Sequence, residues 1–161
     1  MSIRPQKIDN QAFFEFGDIL ETSGLADQVI NQGLCERYND RANLSFDDGR
    51  AGISLFQARV QHFPYTLRMM ERHPRGSQCF IPMSWTSFLV VVAPDDDGQP
   101  GQPVAFITQP GQAINFHKNI WHGVLIPLSD PGLFAVIDRI GAGTNLEEYW
   151  FPTPYVIEPM A

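Results

Sequence analysis

Two stretches gather the side chains able to bind a metal or move a proton: Glu71-Arg72-His73-Pro74-Arg75-Gly76-Ser77-Gln78 and Gly111-Gln112-Ala113-Ile114-Asn115-Phe116-His117-Lys118-Asn119-Ile120-Trp121-His122. Three of the four histidines of the chain fall inside them. In an extended strand alternate side chains share a face, so Leu67, Met69, Glu71 and His73 point one way while Arg68, Met70 and Arg72 point the other. A carboxylate beside an imidazole at the end of an apolar row makes a poor core unless the pair binds something. Gln78 follows a Pro74-Arg75-Gly76 turn, and His122 opens the segment after His117. Imidazole nitrogens with carboxylate oxygens suit a borderline divalent ion such as Ni, Zn, Mn or Fe better than Ca or Mg. His62, beside Pro64, reads as an ordinary surface histidine. The Asp95 to Asp97 run lacks the spaced oxygens of a calcium loop and reads as a hydrated tip.

The elements that must position these groups are mostly strands. Residues 50 to 59 alternate Ile53, Leu55 and Gln57 with Ser54, Phe56 and Ala58, a period of two. Further strands are expected at 65 to 73, 78 to 83, 87 to 93, 104 to 108, 113 to 117, 124 to 128 and 133 to 140, separated by turn clusters rich in Gly, Pro, Asn and Asp. The longest cluster, 94 to 101, reads as a hairpin tip. One short helix is expected after an Asp9 or Asn10 cap, stopping at Gly17. Many short strands at this spacing predict an all-β sandwich or barrel. The aromatic, Pro-punctuated tail from Tyr149 to Ile157 is expected to pack on a sheet face or a partner subunit.

At 161 residues, with 43% hydrophobic and 18% charged, the chain reads as one globular domain spanning 1 to 161. Its formal charge of -7, with scattered Lys and Arg, argues against a nucleic-acid partner. Neither a signal-like apolar segment nor a membrane-length run is visible, so a cytoplasmic location without membrane attachment is expected. Cys35 and Cys79 read as reduced thiols.

These residues carry a resemblance. The second stretch resembles the second cupin motif, with Gly111 in the glycine place, His122 as ligand, His117 replacing the proline and Asn119 the second glycine. The first resembles the metal end of the first cupin motif, with Glu71 for the first histidine, His73 as the second, Gln78 for the glutamate and Trp85 where the closing glycine would stand. With Phe16 to Glu21, Gly33 through Arg37-Tyr38, Gln78 to Met83 and Ile137-Asp138-Arg139, the chain resembles the ureidoglycolate lyase family from about Pro5 to Arg139.

The resemblance implies a cupin-like double-stranded β-helix (jelly-roll barrel) with one or two short helices, cytoplasmic and homodimeric. It implies a carbon-nitrogen lyase of purine breakdown that splits (S)-ureidoglycolate, a product of allantoin degradation, into glyoxylate and urea. The implied cofactor is a divalent metal, nickel by family habit, with Zn2+ or Mn2+ as alternatives, held by Glu71, His73, Gln78 and His122. A metal chelating the substrate carboxylate and hydroxyl would act as Lewis acid and template. His117 is read either as the proton carrier or as a residue bracing its turn. Lys118 would hold the substrate carboxylate or protonate departing urea, and Asn115 and Asn119 would hold the ureido group. Arg72 joins the substrate-binding set only if it turns toward the pocket, which strand alternation opposes. Gln78 is alternatively a rim hydrogen bonder, and for Asp138 and Arg139 an internal ion pair competes with substrate contact. The competing functions are a cupin-like binding or sensor protein and an isomerase or oxygenase for another small hydroxy or oxo acid.

Overall fold

Apolar patterning of period two resolves into two facing sheets in the computed structural model, which describes all 161 residues. The larger sheet runs Ser2–Ile3, Glu147–Ile157, Tyr65–Arg72, Trp121–His122, Phe88–Ala93, Val104–Ile107 and Gln6–Lys7, with Ile126–Pro127 also paired to Phe88–Ala93. The smaller runs Gly17–Leu20, Ala113–Phe116, Gln78–Pro82, Leu133–Ile140 and Arg50–Gln57. Together they form the expected jelly-roll-like sandwich. Its one α-helix, Asn10–Phe13, is a single turn capped by Asp9, whose carboxylate accepts from the Ala12 N–H at 2.9 Å.

Between the sheets lies a Phe-rich core. Phe88, Val90, Val92 and Phe106 come from the larger sheet, and Ile19, Phe80, Ile114, Phe116, Phe134 and Val136 from the smaller. Leu89, Val91 and Ala93 point the other way and pack with Leu67, Met70, Trp121, Ile126, Tyr155 and Ile157. Phe88–Ala93 is therefore buried on both faces, which explains its continuous apolar sequence.

Several expectations shift. The tail is the longest strand of the molecule, pairing antiparallel with Tyr65–Arg72 through Glu147–Trp150 and again through Tyr155–Ile157. The register breaks between Trp150 and Tyr155, around Pro152 and Pro154, which have no N–H to give a ladder. Opposite that break, Leu67 and Met70 join the same cluster, so the row from Leu67 to Glu71 does not keep one face. The segment expected at 124 to 128 pairs only through Ile126–Pro127. Gly17–Leu20 and the hairpin of Gln28–Ile30 with Cys35–Arg37 are strands that the sequence pattern does not announce. The 94 to 101 segment is a hairpin tip as expected, with Asp97 and Gly98 both at positive φ.

Candidate metal centre

Register fixes where the ligating side chains point. His122 pairs with Glu71 on one side and Val92 on the other. Directly paired residues share a face, and Val92 lies in the inter-sheet core, so Glu71 and His122 point into the space between the sheets. His73 follows at the end of the same strand. One oxygen of Glu71 and one nitrogen each of His73 and His122 lie within 4.8 Å of one another. The imidazole rings are 5.3 Å apart, and the Phe116 ring stacks on His122 at 4.2 Å and 9°.

Both imidazoles are held in one tautomer. His73 Nδ1 lies 2.7 Å from the Asn145 carbonyl and His122 Nδ1 lies 2.9 Å from the Gly123 carbonyl. A carbonyl only accepts, so each Nδ1 carries the proton and each Nε2 keeps a bare lone pair. Those Nε2 atoms are buried and have no hydrogen-bond partner. Glu71 Oε1 stands 3.8 Å from His73 Nε2, too far for a hydrogen bond. Burial lowers the pKa of His122 to about 3, with nearby His73 adding to the shift, so its ring is neutral at ordinary pH. Burial also pushes the Glu71 carboxyl above its ordinary value, opposed by His73 and reinforced by Glu148. Two bare imidazole nitrogens beside a half-desolvated carboxylate are what a divalent cation of the zinc or nickel type requires, so the donor set fits such an ion.

The fourth expected ligand arrives from the opposite sheet. Gln78 pairs with Phe116, the residue stacked on His122, and its buried Oε1 likewise has no partner. Its Nε2 donates to Asp138 Oδ2 at 3.4 Å. Asp138 and Arg139 do not form the internal ion pair weighed above. Successive residues face opposite ways, and Arg139 instead donates to the carbonyls of Asp47, Asp48 and Ala142.

The other expected site residues lie outside the ligand cluster itself. Asn115 alternates with Ile114 and Phe116 and so faces outward, where its Nδ2 donates to Asp18 Oδ2 at 2.9 Å and to the Asn43 carbonyl at 3.2 Å. His117 Nε2 lies 3.0 Å from Asp18 Oδ1 on that outer side. Lys118 meets Asp47 at 2.7 Å. Arg72 faces away from the cluster, donating to Asp95 at 2.7 Å and Glu147 at 2.5 Å with its guanidinium over Trp121. Asn119, at φ 68°, is the one of these tied to the cluster by its backbone, its N–H donating to the His73 carbonyl at 2.9 Å. Asp18 and Asn145 were not singled out in the sequence; Asp18 meets Asn43, Asn115 and His117, and Asn145 meets His73 and Arg75, partners too distant in sequence for any local spacing to announce the contact.

A concavity of about 730 Å³ lies away from this cluster. It opens on the outer face of the smaller sheet between Leu20, Ile81, Trp85 and the turn Gln109 to Gly111. It gathers no ligating set, and Glu21, its acidic wall, already accepts from Gln112. The ligating side chains gather instead at Glu71, His73 and His122.

The chain matches the family described as ureidoglycolate lyase over residues 1–158. It is 52% identical over 149 residues to the ureidoglycolate lyase of Rhodobacter capsulatus, covering 92% of each chain. Ureidoglycolate lyase 2 of Rhizobium meliloti is 47% identical over 160 residues, covering 98% of this chain and 97% of that relative. The ureidoglycolate lyase of a Chelativorans species is 43% identical over 154 residues, with 94% and 93% covered. Extended over nearly all of a chain whose partly buried carboxylate and two bare imidazoles converge in a β-sandwich, this similarity places the chain in the ureidoglycolate lyase family.

Proposed function

We propose that this chain is a ureidoglycolate lyase, releasing urea and glyoxylate from (S)-ureidoglycolate at the centre formed by Glu71, His73, His122 and Gln78. The observation that carries the reading is the pair of buried, unpartnered Nε2 atoms beside the Glu71 carboxylate. Ureidoglycolate is a carbinolamine, so expelling urea requires loss of the hydroxyl proton and protonation of the leaving nitrogen. A divalent cation, nickel first and zinc or manganese as alternatives, would supply Lewis acidity and a chelating template to that alcohol. Only Glu71 among the four ligands is anionic, which would leave such an ion electrophilic. Glu71 and His122 come from neighbouring central strands, so the ligands are held before anything binds.

The turn from His117 to Ile120 joins the two sheets at this end. We assign Asn119 to the ureido group and Lys118 to the substrate carboxylate or the leaving nitrogen, since both stand on that turn and are exposed. His117 and Asn115, bonded to Asp18, brace the turn from outside, and Arg72 secures the neighbouring Asp95 and Glu147 segments. A cytoplasmic site of action is supported by two unpaired cysteines.

A homodimer is also proposed, through the outer face of the smaller sheet. Leu55, Ala135 and Ile81 are register partners there, flanked by Ile53 with Ile137 and by Ala113 with Leu20. Ile53 is 74%, Leu55 66%, Met83 54% and Trp85 82% exposed. These four leave on the order of 600 Å² of mostly apolar surface uncovered. A specific interface takes about 800 Å² from each partner, and the groove beside Trp85 extends the face toward that size.

The test is release of glyoxylate and urea from (S)-ureidoglycolate by purified protein, before and after chelation and with Ni2+, Zn2+ or Mn2+ restored. The proposal expects turnover that chelation abolishes and one of these ions returns. Absence of turnover under every ion would overturn it.

A further inference from the structure

We infer that Asp138 is a positioning residue, fixing the side-chain amide of Gln78 so that its oxygen rather than its nitrogen faces the metal centre. The inference rests on the reading of Glu71, His73, Gln78 and His122 as a cation site. A primary amide presents an acceptor on one side and two donors on the other, and a half-turn exchanges them almost without change of shape. A glutamine is thus a ligand in one orientation and repels a cation in the other.

Two observations set the orientation. Gln78 is buried, its Oε1 has no partner, and its Nε2 lies 3.4 Å from Asp138 Oδ2. Asp138 itself lies two residues from the core residue Val136, hence on the inward face of its strand, and takes part in none of the ion pairs of the chain. A carboxylate only accepts, so it draws the NH2 group toward itself and turns the carbonyl oxygen to the opposite side. Gln78 pairs with Phe116, whose ring stacks on His122, so its side chain stands on the same inter-sheet face as that histidine, with its oxygen turned from Asp138. Replacing Asp138 by Asn puts a donor where only acceptors stood and allows the Gln78 amide to turn its NH2 inward.

Calorimetric titration of metal-free, full-length protein with NiCl2 tests this without reference to turnover. Asp138→Asn is expected to weaken Ni2+ binding about 10-fold, with unchanged thermal unfolding of the metal-free protein. In a Gln78→Ala background, the same change is expected to cost nothing further. The double variant Gln78→Glu with Asp138→Asn is expected to regain affinity, because a carboxylate at 78 offers an acceptor whichever way it turns. Asp138→Ser, whose hydroxyl can also donate, replaces Asp138→Asn should that variant not fold. Wild-type affinity in the single variant overturns the inference, and so does an equal loss with and without Gln78. Wild-type protein that binds no Ni2+, Zn2+ or Mn2+ overturns the metal reading itself, a result distinguishable from failure of the Asp138 assignment alone.

Discussion

His122 shows how a single position can be both core and ligand. It is buried against Phe116, neutral, and bonded through Nδ1 to the next carbonyl, so its Nε2 has no other use within the protein. His122→Ala should lower divalent-ion affinity by at least about 100-fold and remove turnover, read by metal titration and the glyoxylate assay. Asp18 gives a pH prediction. Burial alone would raise its carboxyl, but hydrogen bonds from the Asn115 side chain, the Asn43 backbone and His117 outweigh burial and hold it below its ordinary value of 3.8. A lowered folded pKa contributes stability that is present above the unfolded value and lost as pH falls through the folded one. Acid denaturation below about pH 4 should therefore be shallower in Asp18→Asn than in the native protein, measured by urea unfolding at stepped pH. Cys79, buried and pushed up to about 12 by desolvation, should resist thiol reagents while the more accessible Cys35 reacts. Of the ligating cluster, Glu71 and His73 were legible because strand alternation puts them on one face, whereas His122 joins them by cross-strand pairing with Glu71. Asn115 and His117 lie in the same chemically rich stretch yet face outward, since their interior neighbours Ile114 and Phe116 fix the phase of the strand.

At the scale of elements, position depends on which strands face one another and where their ladders break. Phe88–Ala93 and Val104–Ile107 were readable because a strand with apolar residues on both faces leaves few other possibilities. The tail was not readable as a strand, because Pro152 and Pro154 signal interruption, while the ladder resumes beyond them at Tyr155. Gly17–Leu20 was hidden by its shortness, since four residues carry too little period to distinguish strand from loop. The break opposite Leu67 to Met70 also changes which residues share a face with Glu71. Core packing between the sheets is dense: Phe106 is fully buried and meets Phe13 edge-on at 5.7 Å. Phe106→Ala is expected to cost about 3–5 kcal/mol in a denaturant titration. Gly111, at φ 85° and lying against the Trp85 ring, leaves no room for a Cβ, so Gly111→Val should be destabilising and displace the exposed tryptophan.

For the whole molecule, two features of one sandwich call for different partners. The end holding Glu71, His73 and His122 offers unpaired donors to a cation, while the outer face of the smaller sheet offers an uncovered apolar surface to a second copy. Sequence patterning exposed the alternation of Ile53 and Leu55 but not its direction; Phe56, rather than either of them, turns toward the core. Leu55→Glu should convert a dimer to monomers in sedimentation velocity while leaving the circular-dichroism spectrum unchanged. Binding of a divalent cation by one imidazole-carboxylate centre is independent of the proposed dimer. Anomalous diffraction at the nickel edge, from crystals of the protein soaked in NiCl2, tests that binding most directly. A single strong peak within bonding distance of His73 Nε2, His122 Nε2, a Glu71 oxygen and Gln78 Oε1 is the predicted result; a peak elsewhere, or none at this cluster, would contradict it.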